Sequence, residues 1–404
     1  MRKLIEGSMA VAEMVRLCRP HVVAAYPITP QTHIVENLSQ FVADGELKAE
    51  FLNVESEFGA ASVILGATVT GARAYSTTTS QGLLLMGEVL FNIAGLRLPT
   101  VITCANRAVS APINIWNDHS DAMVMRDAGW VMLFAEDNQE AADMHPQAYK
   151  IGEDPDICLP VLINMDGFIL THAFEPVDIP EQQEVDDFLP PYQPSEYMTV
   201  KDPRTFGLLA DPQWYMETRY KLQETLEDVK PVIERVADEF KAKFSRYYGG
   251  LIDTYRMDDA QRVFVAMGSL VGTVKEVVDD LRARGEKAGL LKIRSYRPFP
   301  RERILEVCKD VEELIVLEKA ISFGSGGMLQ EEMRAVFYKQ KHQPSVSGFI
   351  LGLGGRDIPP SSLIDVYKVC QGKVISNEFV DLRPEVVPKN SPLSAPVDGW
   401  LEDI

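Results

Sequence analysis

The feature that most constrains this chain is a repeated alternation in which short β-branched, apolar runs are each followed by a stretch with helical periodicity. From the N-terminus to about residue 175 the strand-like runs are "HVVAAYP", "ELKAEFLNV", "ARAYSTTT", "PTVITCA", "GWVMLFA" and "LPVLINM". Helical stretches follow over residues 32–42, after Ser56 and through "QGLLLMGEVLFNIAGL". Apolar strands separated by helices predict a parallel sheet covered on both faces, with ligand-binding loops at the carboxyl ends of its strands.

The alternation stops near residue 175 and resumes at Arg262 with "VFVAMGS", "VGTVKEVVDDLRARG", "AGLLKIRSY", "RERILEVCKD", "ELIVLEK", "GGMLQEEMRAVFYKQ" and "VSGFILGLGG". The expected fold is therefore α/β, a doubly wound parallel sheet over residues 1–175 and a smaller α/β unit over about 256–378. The intervening 176–255 read as a Pro- and acid-rich connector followed by a long amphipathic helix over 213–248, with a kink or break expected at Pro231. Residues 379–404 read as an extended tail lying along a partner or another domain.

Charge and cysteine usage exclude several function classes. A net charge of −19 repels phosphate backbones and anionic lipid, and no Lys/Arg cluster offsets it, so neither nucleic acid nor a membrane surface is an expected partner. The five cysteines, Cys18, Cys104, Cys158, Cys308 and Cys370, are widely scattered. They form neither a disulfide framework nor a cluster-ligand set, and they point to a reducing compartment. No apolar run approaches the roughly 18 residues of a membrane span, and the N-terminus lacks a signal-peptide core. A cytoplasmic protein is expected.

Several motifs are ambiguous by themselves. "FGSGG" (323–327) and "LGLGG" (351–355) are glycine-rich turns that could cradle phosphate, but neither completes a nucleotide-binding fingerprint. "NMDGF" (164–168) resembles part of a Mg²⁺ and diphosphate motif, yet no Asn follows before Asn377 to complete the oxygen ligands, and a plain strand-end turn explains Asp166 as well. The six histidines show no metal-binding spacing.

Stronger signals lie at strand ends. In "YPITPQ" two prolines fix the loop carrying Thr29, and in "NVESEFGAA" Glu57 follows a capping Ser56. Arg107, beside an apolar segment with Ile113, Ile115 and Trp116, suits a small carboxylate with an organic tail, or else an ion pair with Asp118 or Asp121. The hydroxyls of "STTTSQG" serve as ligands or as caps.

Taken in order, "YPITPQ", "NVESEFGAA", "TTTSQGLLLM", "NRAVSAPINIWNDHSDAM" and "MDGFILTH" resemble the α subunit of the 2-oxoacid:ferredoxin oxidoreductases. The resemblance covers about residues 1–380 and implies a pyrimidine-binding, thiamine-diphosphate-type first domain and a second domain like the C-terminal domain of transketolase. It implies a thiamine diphosphate shared with a β subunit, and Mg²⁺ and [4Fe-4S] clusters held on partner subunits. Further partners would be γ and ferredoxin-like δ subunits, coenzyme A, ferredoxin and the 2-oxoacid.

By the same resemblance Glu57 is the catalytic acid that hydrogen-bonds the pyrimidine N1′ and thereby lets the 4′-amino group take the proton from thiazolium C2. Thr29 contacts substrate and cofactor, Arg107 stabilises substrate charge, and Ile113, Ile115 and Trp116 are candidates for the wall facing the substrate's R group. The implied reaction is oxidative decarboxylation of a 2-oxoacid with coenzyme A to acyl-CoA and CO₂. Pyruvate is the expected substrate. Branched-chain 2-oxoacids, 2-oxoglutarate and phenylglyoxylate are alternatives, the last with NAD as acceptor through another subunit, and a non-catalytic scaffold subunit is the alternative class.

Overall fold

The computed structural model describes residues 1–387. The first unit runs β1 (Arg2–Glu6), α1 (Gly7–Leu17), β2 (Val22–Ala25), α2 (Thr32–Ala43), β3 (Glu50–Asn53), α3 (Glu57–Val69), β4 (Ala74–Thr78), α4 (Ser80–Gly95) and β5 (Val101–Asn106). It continues through α5 (Ser120–Val124), β6 (Val131–Phe134), α6 (Asn138–Gly152), β7 (Val161–Asp166), β8 (Phe174–Asp178), α7 (Gln182–Phe188) and α8 (Tyr215–Phe244). The second unit holds β9 (Ile252–Tyr255), β10 (Arg262–Ala266), α9 (Leu270–Ala283), β11 (Ala288–Ile293), β12 (Ser295–Arg297) and α10 (Arg301–Val307). It ends with β13 (Glu313–Glu318), α11 (Met328–Phe337), β14 (Ser345–Ile350), α12 (Pro360–Val369) and β15 (Glu378–Phe379).

The larger sheet has the order β12-β6-β7-β5-β4-β2-β3, parallel except for β12, which runs antiparallel to β6. β2 lies between β3 and β4, so the strand order reverses there and the loops after β2 and β4 diverge, the place where a crevice opens in such sheets. Its central strands β4, β5, β6 and β7 are buried throughout, which is why they read as continuous apolar or small-residue runs. The smaller sheet, β15-β14-β13-β10-β11-β9, is parallel apart from β9.

Three features depart from the sequence expectation. The run "AGLLKIRSY" divides, β11 pairing in the smaller sheet and β12 crossing to the edge of the larger one. Thus the second unit contributes a strand to the first, and one apolar core runs through both, from Val23 and Ile102 to Val263 and Leu291. α8 continues through Pro231 without a break, anchored by buried Leu222, Val229, Ile233, Val236 and Phe240. Burial of that stripe outweighs the lost backbone hydrogen bond. Finally, β1 and β8 form a separate antiparallel pair. The tail expectation falls partly on β15, which pairs with β14, and otherwise mostly outside the described residues. No helix among the described residues is long and apolar enough to cross a membrane.

Candidate active site

Thr29, Glu57, the "TTTS" hydroxyls, Arg107 and Asp166 all lie at the carboxyl edge of the larger sheet. Thr29 follows β2, Glu57 opens α3 after β3, "TTTS" joins β4 to α4, Arg107 follows β5 and Asp166 ends β7. Gly167 locks three of these loops together. Its N–H donates to Asn106 O at 3.0 Å, and a Cβ there would stand 2.6 Å from Pro30 Cγ.

The two acids of "NVESEF" have different surroundings. Ser56, in extended backbone, accepts from Gly59 N through its hydroxyl at 3.2 Å, so Glu57 is the first helical residue and its carboxylate sits in the positive field of the helix start. Glu57 is 6% exposed, whereas Glu55 is exposed and folds its carboxylate over Gly59. Among the described residues the Glu57 side chain accepts no hydrogen bond. A buried carboxylate without a donor is costly, so this one is poised for a donor from outside the chain.

Gly82, in the first turn of α4, is where that carboxylate meets a hydroxyl. A Cβ at 82 would lie 2.6 Å from Glu57 Oε1 and 2.7 Å from Thr78 Oγ1. The neighbouring hydroxyls are committed to backbone carbonyls: Ser76 to Ala24, Thr77 to Thr103, Thr79 to Ala105 and Ser80 to Ala108. Thr78 Oγ1 alone of this run is buried without a partner, and Gln81 Nε2, three residues on, is likewise unsatisfied. The sequence presents these hydroxyls as equivalent, and nothing in their composition singles out Thr78. An orphaned hydroxyl and a buried carboxylate around a glycine leave the space and the hydrogen-bonding groups that a heteroaromatic ring with donors and acceptors would use.

Thr29 and Arg107 meet directly. Arg107 Nη1 donates to Thr29 O at 2.8 Å and Nε to Asn114 O at 2.9 Å. Neither Asp118 nor Asp121 pairs with the guanidinium. Asp121 instead accepts from the backbone N–H groups of Arg107 (3.0 Å) and Ser80 (2.9 Å) and from Asn106 Nδ2 (3.0 Å). It is fully buried, and burial raises its carboxyl above the usual range against those three hydrogen bonds. Asp121 thus fixes the Arg107 backbone to the start of α4, a role the sequence did not reveal. The guanidinium, 7% exposed as a residue, keeps a positive charge with no carboxylate paired to it; burial pulls its pKa below the ordinary value, with the Asp121 charge opposing.

The apolar segment after Arg107 is less enclosed than its sequence implies. Ala108 N donates to Trp116 O at 3.0 Å, closing a loop whose tip leaves Ile113 81% exposed and Trp116 54% exposed, with Ile115 partly buried. Gly354 and Gly355 of "LGLGG" press against it: Asn114 Nδ2 donates to Gly354 O, and Asp118 Oδ2 accepts from Gly354 N. This glycine turn is therefore a seat for the Arg107 loop. "FGSGG" is also occupied, because the Glu318 carboxylate accepts from Leu329 N and Gln330 N at the start of α11, where an anion would otherwise bind.

Asp166 is a hub between the two units. Its Oδ1 meets His119 Nε2 at 2.7 Å, and its Oδ2 accepts from Lys319 Nζ at 2.8 Å and from both the backbone N–H and hydroxyl of Ser269. Burial alone would raise this carboxyl, but Lys319 and His119 outweigh it and hold it well below the usual range.

The chain matches the family model described as "Pyruvate flavodoxin/ferredoxin oxidoreductase, thiamine diP-bdg" over residues 13–238, and the "Pyruvate:ferredoxin oxidoreductase core domain II" over 260–363. It is 53% identical over 391 residues to the pyruvate synthase subunit PorA of Methanosarcina barkeri, covering 95% of this chain and 97% of that one. It is 43% identical over 357 residues to the ketoisovalerate oxidoreductase subunit VorA of Pyrococcus horikoshii, covering 88% and 90%. Its fold is similar, with a TM-score of 0.69 at 18% identity, to the solved 2-oxoglutarate:ferredoxin oxidoreductase of Magnetococcus marinus. That match covers 91% of this chain, which spans 65% of the other.

Proposed function

The chain belongs to the pyruvate flavodoxin/ferredoxin oxidoreductase family, and from that premise we propose that it is the α subunit of a thiamine-diphosphate-dependent oxidoreductase that decarboxylates pyruvate. Coenzyme A takes the acyl group and ferredoxin takes two electrons. The observation that carries this reading is the cradle of Glu57, Thr78 and Gly82, where a buried carboxylate without a donor faces an orphaned hydroxyl.

When bound, thiamine diphosphate supplies the nucleophilic carbon and the electron sink for decarboxylation. Glu57 and the pyrimidine N1′ would share one proton, taken up from water when the ring binds, and the carboxylate would hold it at N1′, which satisfies the carboxylate and polarises the ring. Gly82 leaves open the space that the ring edge needs. Thr78 and Gln81 offer the remaining hydrogen-bonding groups.

Arg107 would bind the 2-oxoacid carboxylate. Its two backbone contacts fix the plane of the guanidinium, so little side-chain freedom is lost when substrate arrives. The exposed Thr29 side chain stands on the loop to which Arg107 is tied, positioned to reach the same substrate. Ile113 and Ile115 would contact the R group once a β subunit covers the loop.

Both Asp166 oxygens are already taken by Lys319, His119 and Ser269, which supports placing the Mg²⁺ and diphosphate ligands on a partner. The five cysteines lie in separate parts of the fold, only Cys104 within a strand, and four are buried. Among the described residues no cysteine group is close enough to hold a cluster, which supports placing the [4Fe-4S] clusters on partner subunits, in a cytoplasmic complex with β, γ and δ chains.

Ketoisovalerate is the second reading, because a relative named for it is 43% identical and a few methylenes in an apolar wall change selectivity by only about 1–3 kcal/mol each. The test is the assembled complex assayed with pyruvate and with ketoisovalerate against a low-potential dye. Pyruvate is expected to give the higher kcat/KM, and Glu57→Gln to abolish turnover while the complex stays assembled. Undiminished turnover by that variant would overturn the assignment.

A further inference from the structure

Although the six histidines show no metal-binding spacing, the fold brings two of them together with a carboxylate. His33 lies in the first turn of α2, His172 in the loop between β7 and β8, and Glu6 at the end of β1. One donor atom of each lies within 4.8 Å of the others. We propose that Glu6, His33 and His172 form a binding site for a divalent transition-metal ion of the zinc class.

The donor set suits such an ion. Two imidazoles and one carboxylate bind borderline cations at about 2.0–2.2 Å, which places ligand atoms roughly 3–3.5 Å apart around one metal. His33 Nδ1 is already 2.8 Å from Glu6 Oε1, and the two histidine rings are centred 4.9 Å apart. The His33 side chain is 45% exposed, so packing encloses it on one side only, and a modest side-chain adjustment would bring the three donor atoms to ligand distance. Glu6 supplies one negative charge, so an ion with two neutral imidazoles would carry a net single positive charge. Three protein ligands leave a position for water, the pattern of an exchangeable site.

His172 is also oriented from behind. Thr171 Oγ1 accepts from Phe168 N at 2.8 Å and lies 2.7 Å from His172 Nδ1. An Nδ1–H donated to that hydroxyl leaves the lone pair on Nε2, which makes no protein hydrogen bond among the described residues. Packing between Phe168, at 4.6 Å, and His33 holds the ring in place, and burial favours its neutral form over the opposing pull of Glu6. The ion would join the start of α2, four residues past Thr29, to the loop that carries Phe168 against Trp116.

The test uses the full-length chain, stripped with chelator and shown folded by circular dichroism, titrated with Co²⁺ and then Zn²⁺. One equivalent of Co²⁺ is expected to give visible d–d bands without a thiolate charge-transfer band, and Zn²⁺ to displace it. His33→Ala and His172→Ala should each weaken binding at least 100-fold. On the unaltered chain, Zn²⁺ should shield both histidines from diethyl pyrocarbonate, read by mass spectrometry. No Co²⁺ bands, bands unchanged in the double variant, a thiolate band, or no shielding would each overturn the proposal.

Discussion

Lys319 Nζ and Asp166 Oδ2 stand 2.8 Å apart, both buried, across 153 positions of sequence and the junction of the two α/β units. The contact belongs to a small network: His119 N donates to Lys319 O, and His119 Nε2 meets the other oxygen of Asp166. His119 ends the loop that begins at Arg107, so the second unit grips that loop at its far end while "LGLGG" supports its middle. The smaller unit therefore positions the site although it supplies none of its proposed reacting groups.

Lys319→Met is expected to lower stability by about 3–5 kcal/mol, because it leaves a buried carboxylate short of its cation. Urea unfolding of the chain measures this. Adding Asp166→Asn should recover part of the loss, since the unpaired charge then disappears. A single variant as stable as the original would show that the pair contributes nothing to joining the units.

Arg107→Lys keeps the charge and loses the fork. A lysine cannot donate to both Asn114 O and Thr29 O while facing a carboxylate. Charged hydrogen bonds of this kind are worth about 1.5–3 kcal/mol, so kcat/KM for pyruvate should fall roughly 10- to 150-fold in the assembled complex. Thiamine diphosphate content should stay unchanged, which separates a substrate role from damage to the cofactor cradle.

The larger sheet was legible because its central strands are buried on both faces, and continuous runs such as "PTVITCA" have no other good use. What escaped the sequence depends on partners far along the chain. "AGLLKIRSY" gives no local sign that it divides between two sheets, since both halves are equally buried. Of five adjacent hydroxyl residues, Thr78 differs from the others only in lacking a neighbouring carbonyl, a fact of strand packing. Asp121 and Lys319 were invisible as positioning groups for the same reason. Glu57, Thr29 and Arg107 stand out in the sequence because they follow strands within recognisable motifs. The spatial link between Arg107 and Thr29 became visible only in three dimensions.

Gly82→Ala should inactivate the complex. The added methyl would lie 2.6 Å from Glu57 Oε1 and 2.7 Å from Thr78 Oγ1, closer than such atoms approach, so the carboxylate must leave its position. Loss of both turnover and bound thiamine diphosphate is expected. Gly272→Ala in α9 is the control, since nothing lies within 4 Å of its Cβ position. That change should stabilise the chain by about 0.4–1 kcal/mol and leave activity intact. Equal effects of the two alanines on activity would remove the cradle argument.

Glu318 predicts how stability varies with pH. Burial pushes its carboxyl up from 4.5 to about 7, against the hydrogen bonds from Gln330 N and Leu329 N that favour the charged form. Between those values the folded chain holds a proton that the unfolded chain has released, so this group makes stability fall as pH rises from about 4.5 to about 7. The loss is on the order of 2–3 kcal/mol and is complete above the folded value. Glu318→Gln removes the titration but offers one oxygen to two backbone N–H groups, so its absolute stability should drop at low pH. Its pH slope relative to the original chain is therefore the informative quantity. Urea midpoints measured every half unit from pH 4.5 to 8 should show the difference between the two proteins narrowing as pH rises. A constant difference would mean that Glu318 titrates alike in the folded and unfolded chain.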